Sequence, residues 1–174
     1  MKDKETTILG GGCFWGIEAA FLHVKGVLSA TPGYSGGDKE KPTYEEVSSG
    51  QTGHAETVRI EYDPKVIRYE SLLRIFFAIH DPTSLNRQGY DTGTQYRSII
   101  IYMDDEQKKE AEKIIRELKY DKPVVTELSP FKSFYPAEEY HQKYFEKHPE
   151  KAPNTCYAKV NKIKEKYGEY YVEK

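Results

Sequence analysis

Cysteine is close to absent from this chain: its 174 residues hold only Cys13 and Cys156, and neither belongs to a C-x-x-C pair or to a metal-ligand spacing. A cysteine-held metal site is therefore excluded, and no metal or organic cofactor is expected. Long apolar runs are missing as well, with nothing near the ~20 residues a membrane span needs. At 37% hydrophobic and 31% charged residues the composition suits a soluble globular protein. Charge of one sign is also lacking: the net charge is -2, the pI is near 6.2, and no cluster of Lys and Arg stands apart from acids. Nucleic acid is thus not an expected partner. The opening MKDKETTILGGG lacks the apolar core and cleavage site of a secretory signal, which makes the cytoplasm the expected location. Nor is there a repeat, a low-complexity tract or a Gly/Ser linker. The expectation is one catalytic domain over residues 1–174, a monomer, with residues 151–174 as a C-terminal tail.

Strand and helix patterns alternate along the chain. Residues 6–9 are β-prone and run into glycines, after which Ile17, Ala20, Phe21 and Val24 recur at the spacing of one helical face. Residues 27–37 read as a strand entering a Gly-rich loop. Residues 54–63 alternate, placing His54, Glu56, Val58, Ile60 and Tyr62 on one face and Ala55, Thr57, Arg59, Glu61 and Asp63 on the other, the expected wet face. A helical stripe of Tyr69, Leu72, Leu73, Phe76 and His80 ends before Pro82. Residues 96–103 read as a buried strand, and residues 104–119 as a helix with acids in its first turn and a core stripe of Ala111, Ile114, Ile115 and Leu118. A strand over 123–128 and a helix over 137–148, stopped by Pro149, complete the pattern, and from Lys151 onward there is no clear periodicity. This succession suggests a two-layer α/β sandwich.

The stretch LGGGCFWG, residues 9–16, holds one of the two cysteines and the only tryptophan. It lies at a strand-to-helix corner, where unpaired backbone N–H groups and the positive end of the helix favour a thiolate on Cys13. Cys13 as a small buried hydrophobe fits the position equally well. Phe14 and Trp15 are either ordinary core or an apolar wall beside the sulfur, suited to a small uncharged group. Glu56 shares the inward face of Val58 and Ile60. It is either a carboxyl kept protonated by desolvation, and so a general acid, or a glutamate paired with a nearby cation. Glu18 sits off the Ile17/Phe21 stripe and reads as a solvated helix residue.

Five motifs in order, GGGCFWGIEAAF, GYSGG, PTYEEVSSGQTGHAETV, NRQGYDTGTQYRS and FYPAEEYHQKY, resemble those of the A-type peptide-methionine sulfoxide reductases. That resemblance implies a ferredoxin-like core with a mixed sheet and long irregular loops. It implies reduction of the S epimer of methionine sulfoxide, in proteins, peptides or free, to methionine. Carried over residue by residue, it makes Cys13 the nucleophile, Phe14 and Trp15 the pocket for the sulfoxide's methyl group, and Glu56 the acid. Tyr44 and Tyr96 become hydrogen-bond donors to the sulfoxide oxygen, and Asp91 a holder of the substrate backbone. His54 and Glu18 are left as structural neighbours. The family usually resolves the resulting sulfenic acid with a second cysteine near the C-terminus, for which Cys156 is the only candidate, carried on a flexible tail and recycled by thioredoxin or another dithiol. An idle Cys156 thiol, with the sulfenic acid reduced directly from outside, and a static disulfide are the alternatives.

Two other function classes fit parts of the pattern. A Cys-nucleophile hydrolase or acyltransferase would use His54 or His141 as the base that activates Cys13. A non-catalytic binding module would use Phe14 and Trp15 as an aromatic anchor.

Overall fold

The computed structural model describes residues 3–174. The chain forms β1 (Glu5–Gly10), α1 (Phe14–Phe21), β2 (Val27–Ser35), α2 (Tyr44–Ser48), β3 (Ala55–Tyr62), α3 (Tyr69–Ala78), β4 (Arg87–Gln88), β5 (Asp91–Thr92), β6 (Ile99–Tyr102), α4 (Asp105–Glu117), β7 (Glu127–Pro130), β8 (Phe134–Pro136), α5 (Tyr144–Lys147) and α6 (Asn154–Lys166). Six strands make one sheet in the order β7-β6-β1-β3-β2-β8, and β4 and β5 pair as a separate hairpin. Every pairing in the large sheet is antiparallel except β6 with β7, so the sheet is mixed, as expected.

The helices lie on one face of this sheet because the alternating strands place their larger apolar residues there. Leu9, Val58, Ile60, Tyr62 and Ile100 meet Ile17, Phe21, Leu72, Phe76 and Ile114 in one continuous core. The helical stripes expected from spacing are the buried ones, down to Ile115 and Leu118 packing partly buried at the end of α4, except that His80 falls half-buried beyond the end of α3. Asp104 starts that helix by accepting the Gln107 N–H at 2.9 Å.

The other sheet face is drier than its pattern suggests. Ala55 and Thr57, expected in water, are fully buried. Ala55 joins Ile8, Ile99 and Ile101 in a second small cluster covered by Met103 and Phe134. The cover comes from the chain's return as β8, a strand with no clear sequence signal, which also lays Phe134 under the Arg59 guanidinium at 4.9 Å.

Three further elements differ from expectation, each through tertiary contact. The strand over 123–128 moves to β7, where Glu127 pairs with Ile99, while Val125 donates its N–H to the Pro82 carbonyl at 2.8 Å. The helix over 137–148 is broken into a 3-10 turn, Glu139–His141, and α5, with Lys143 between them in the left-handed region at φ 53°. The Gln142 side chain interrupts the helix by donating to the carbonyls of Pro32 and Ala137 at 3.1 and 2.9 Å. The segment from Lys151, expected to be an irregular tail, contains α6, which packs on α1. Its anchors, Cys156, Val160, Ile163 and Tyr167, do follow a helical spacing, but lysines and polar residues surround them.

Candidate active site

The site is built where β1 ends and α1 begins. Gly12 takes φ +88°, a conformation in which a side chain is strained, and the chain then turns into the helix at Cys13, its N-cap. Two residues earlier β1 lies so close to β3 that a Cβ on Gly10 would sit 2.7 Å from the Glu56 carbonyl oxygen. That approach brings the Glu56 side chain under the first turn of α1. The carboxyl is 2% exposed, and its Oε1 accepts the Phe14 N–H at 3.1 Å.

Burial lifts the Glu56 carboxyl to about 8, with the Phe14 N–H pulling it down and the Asp91 charge pushing it further up. At neutral pH it therefore holds a proton. Cys13 as a residue is half-buried. Its thiol is nevertheless pushed well up, first by loss of water and then by the Glu56 charge, against the pull of the Trp15 and Gly16 backbone N–H groups. Of the two readings that the corner allowed, burial favours the resting thiol over the thiolate. The helix-start donors are present, but desolvation and nearby acids outweigh them. Protonation of Glu56 removes the second of those influences.

The remaining residues singled out from sequence surround this pair. Tyr44 and Tyr96 are both part-buried, and desolvation, followed by the charge of Glu56, raises both phenols, so they stay neutral donors. Both also feel Cys13 and Asp91. Gly12 donates its N–H to the Tyr96 carbonyl at 3.1 Å, fixing the Tyr96 turn against the cysteine corner. Asp91 lies on the rim in β5, its carboxyl raised by burial and lowered by Lys159. Phe14 is buried against Tyr34 and His141, with ring centroids 5.8 and 5.1 Å apart. Trp15 is half-buried, stacked on Tyr144 at 3.7 Å and 6°.

Cys156 sits in the first turn of α6 as a buried free thiol, 5% exposed. The flexible carrier expected for it is instead a helix on α1. Burial raises its thiol and the charge of Lys159 lowers it. The Lys159 stem runs along α1, 3.4 Å from where a Cβ on Gly16 would be, and its Nζ donates to the Ile79 carbonyl.

The two candidate bases are otherwise engaged. Each ring nitrogen of His54 is bonded to backbone, Nδ1 accepting from Gly37 N–H at 3.1 Å and Nε2 lying 2.7 Å from the Lys39 carbonyl. His141 Nδ1 accepts the Trp15 indole N–H at 3.0 Å, which leaves its proton on Nε2, and burial lowers its pKa. Neither histidine has a hydrogen bond to Cys13 among the described residues, so the hydrolase arrangement is not formed.

Sequence reasoning passed over three contributors. Glu138 receives the Tyr34 hydroxyl at 2.7 Å and the Tyr44 N–H at 2.9 Å, orienting Tyr44. Lys159 gave no signal among the other C-terminal lysines. Glu18, expected in solvent, is 1% exposed and accepts the Lys143 N–H at 2.8 Å. The left-handed turn that creates this contact has no local sequence mark.

A family model described as "Peptide methionine sulfoxide reductase" matches residues 5–174. The "Peptide methionine sulfoxide reductase MsrA" of Sulfolobus acidocaldarius is 60% identical over 146 residues, 83% of each chain. The crystal structure of reduced Mxr1 from Saccharomyces cerevisiae aligns with a TM-score of 0.79 at 33% identity, over 99% of this chain and 93% of that one. The structure of Mxr1 in complex with Trx2 aligns with a TM-score of 0.56 at 27% identity, over 82% of this chain and 85% of that one.

Proposed function

The chain belongs to the peptide methionine sulfoxide reductase family and is an oxidoreductase acting on methionine sulfoxide; from that premise we propose that Cys13 is its nucleophile and Glu56 its acid. The observation that carries this reading is the buried Glu56 carboxyl, protonated at neutral pH, beneath the turn that presents the sulfur.

A sulfoxide sulfur accepts a nucleophile only when its oxygen is protonated or hydrogen-bonded, because that oxygen must leave with the bonding pair. Glu56 gives its proton to the oxygen, and Tyr44 and Tyr96 donate hydrogen bonds to it. The Cys13 thiol surrenders its proton as it attacks, which returns to Glu56 the proton lent. The attack joins the Cys13 sulfur to the substrate sulfur; the substrate S–O bond breaks, and the oxygen then bonds to the Cys13 sulfur as the sulfur–sulfur bond breaks and leaves its pair on the thioether. Cys13 thiol plus sulfoxide thus become Cys13 sulfenic acid plus thioether, with two electrons passing from the cysteine to the methionine sulfur. Phe14 and Trp15 receive the methyl group, and Asp91 on the rim holds the substrate backbone. This arrangement fits the S epimer, protein-bound or free.

Cys156 then attacks the sulfenic sulfur, forming a disulfide and releasing water, and an external dithiol reduces that bond by exchange. The Mxr1 complex with Trx2 supports thioredoxin as that dithiol. The reading treats residues 1–174 as one catalytic domain whose segment 151–174 supplies the resolving thiol, working as a monomer in the cytoplasm. No helix among the described residues is long and apolar enough to cross a membrane.

Racemic methionine sulfoxide given to reduced enzyme without external thiol tests the scheme. Consumption of the S epimer alone and a Cys13–Cys156 disulfide in the mass spectrum are expected. Consumption of the R epimer, or an unoxidised Cys13 after turnover, would contradict it.

A further inference from the structure

Glu18 is a buried carboxyl with no part in the chemistry above, and its surroundings give it one. It lies one turn beyond Trp15 on α1, where its Oε2 accepts the Lys143 N–H at 2.8 Å and the Tyr144 N–H also favours its charge. Lys143 stands at φ 53°, ψ 42°, a conformation that a long side chain adopts only when held there. The residues around that turn make the contacts of the indole. Tyr144 stacks on Trp15 at 3.7 Å, Phe145 meets its edge at 6.0 Å and 71°, and His141 accepts its N–H at 3.0 Å.

We propose that Glu18 is a positioning residue: by holding Lys143 in its left-handed turn, it sets Tyr144 against Trp15 and fixes the aromatic wall on which the substrate's methyl group packs. The proposal rests on the reading of Trp15 as that wall. Carboxylate and indole stand on the same rigid helix, so the distance from the turn to the wall is set by α1 itself. Without the carboxylate the Lys143 N–H loses its acceptor, the turn relaxes toward the right-handed conformation, and Tyr144 swings away from the indole. The pocket then loosens while Cys13 and Glu56, held by the β1–β3 approach, stay in place. The signature is a rise in KM at nearly constant kcat.

Trp15 is the only tryptophan in the chain, so its emission reports the wall directly. In Glu18→Ala, red-shifted emission, easier acrylamide quenching and a KM for S-methionine sulfoxide raised about tenfold are expected, the equivalent of about 1.4 kcal/mol. The single-turnover kcat should stay within about twofold, a change of under ~0.5 kcal/mol. Glu18→Gln, which keeps one acceptor oxygen but loses the charge, should recover only part of both signals, matching the wild type with Glu18 protonated. Unchanged emission and KM in Glu18→Ala would overturn the role of Glu18, provided Trp15→Ala raises KM. An unchanged KM in Trp15→Ala would overturn the wall itself, and the proposal with it.

Should Glu18→Ala not fold, the wild type carries the test. Burial raises Glu18 to about 7, helped by Glu146 and opposed by Lys143. Among the other titratable groups on the elements that meet α1 are Lys147 on α5, Cys156, Lys159 and Lys162 on α6, and His141 and Glu56, with His141 pushed lower and Glu56 near 8. Trp15 emission should shift red as pH falls through about 7, when protonation weakens the grip on Lys143, and Glu18→Gln should lack that transition. Its persistence in Glu18→Gln would overturn the proposal.

Discussion

Cys13 and Cys156 stand at the starts of two helices that pack on each other, α1 and α6, and the two starts are built in opposite senses. Burial pushes both thiols up, but Cys13 is faced by the carboxyls of Glu56 and Asp91 and Cys156 by the ammonium of Lys159. A helix start therefore does not by itself make a thiolate. In the proposed cycle Glu56, whose charge opposes ionisation of the Cys13 sulfur, protonates the substrate's oxygen, and the thiol ionises as it does so. In the same proposal Cys156 is the attacking thiol, and a cation beside its sulfur favours the attacking form. The two surroundings suit the two halves of one cycle.

The comparison breaks most simply at the sulfur atoms. Cys13→Ser should form no methionine from S-methionine sulfoxide, even in a single turnover followed over hours, because a serine oxygen has no sulfenic state to pass through. Any methionine formed would place the nucleophile elsewhere. Cys156→Ser should release about one methionine per enzyme molecule at near the wild-type rate and then stall with thioredoxin as the only reductant, a loss of the order of a hundredfold in turnover, of the size seen when a group acting in its own step is removed. Thioredoxin-driven turnover at the wild-type rate would end the resolving role. Lys159→Met, which keeps the stem along α1 and removes the charge, should slow disulfide formation about fivefold, equivalent to ~1 kcal/mol of lost charge stabilisation, and more than it slows the first step. Stopped-flow decay of the Cys13 sulfenic acid is the measurement, and an unchanged decay would remove Lys159 from the comparison.

The first of the two regions was legible in the sequence and the second was not. Glycine, cysteine and paired aromatics mark the corner before α1, and strict alternation in β3 turns Glu56 inward beside Val58 and Ile60. Both signals are local, and both survive in the fold. What surrounds Cys156 depends on α6 docking on α1, a helix whose few apolar anchors lie among lysines, and nothing local separates Lys159 from its neighbours. The same holds for Glu18, whose burial follows from the left-handed turn at Lys143, and for Ala55 and Thr57, dried by the return of β8. Periodicity along one segment reports which face is apolar, and it is silent about which distant segment will cover the other.

The pairing of Cys13 with a protonated Glu56 is tested most directly by the pH dependence of single-turnover methionine formation, in wild type and in Glu56→Gln. Folding raises the Glu56 carboxyl from 4.5 to about 8, so the acid is present below that value and lost as pH rises through it, and folded-state stability falls in the same direction. The wild-type rate should decline above about pH 8, whereas Glu56→Gln should be slower by about a hundredfold at neutral pH and show no such decline. A Glu56→Gln enzyme that forms methionine as fast as the wild type, with the same profile, would contradict the account.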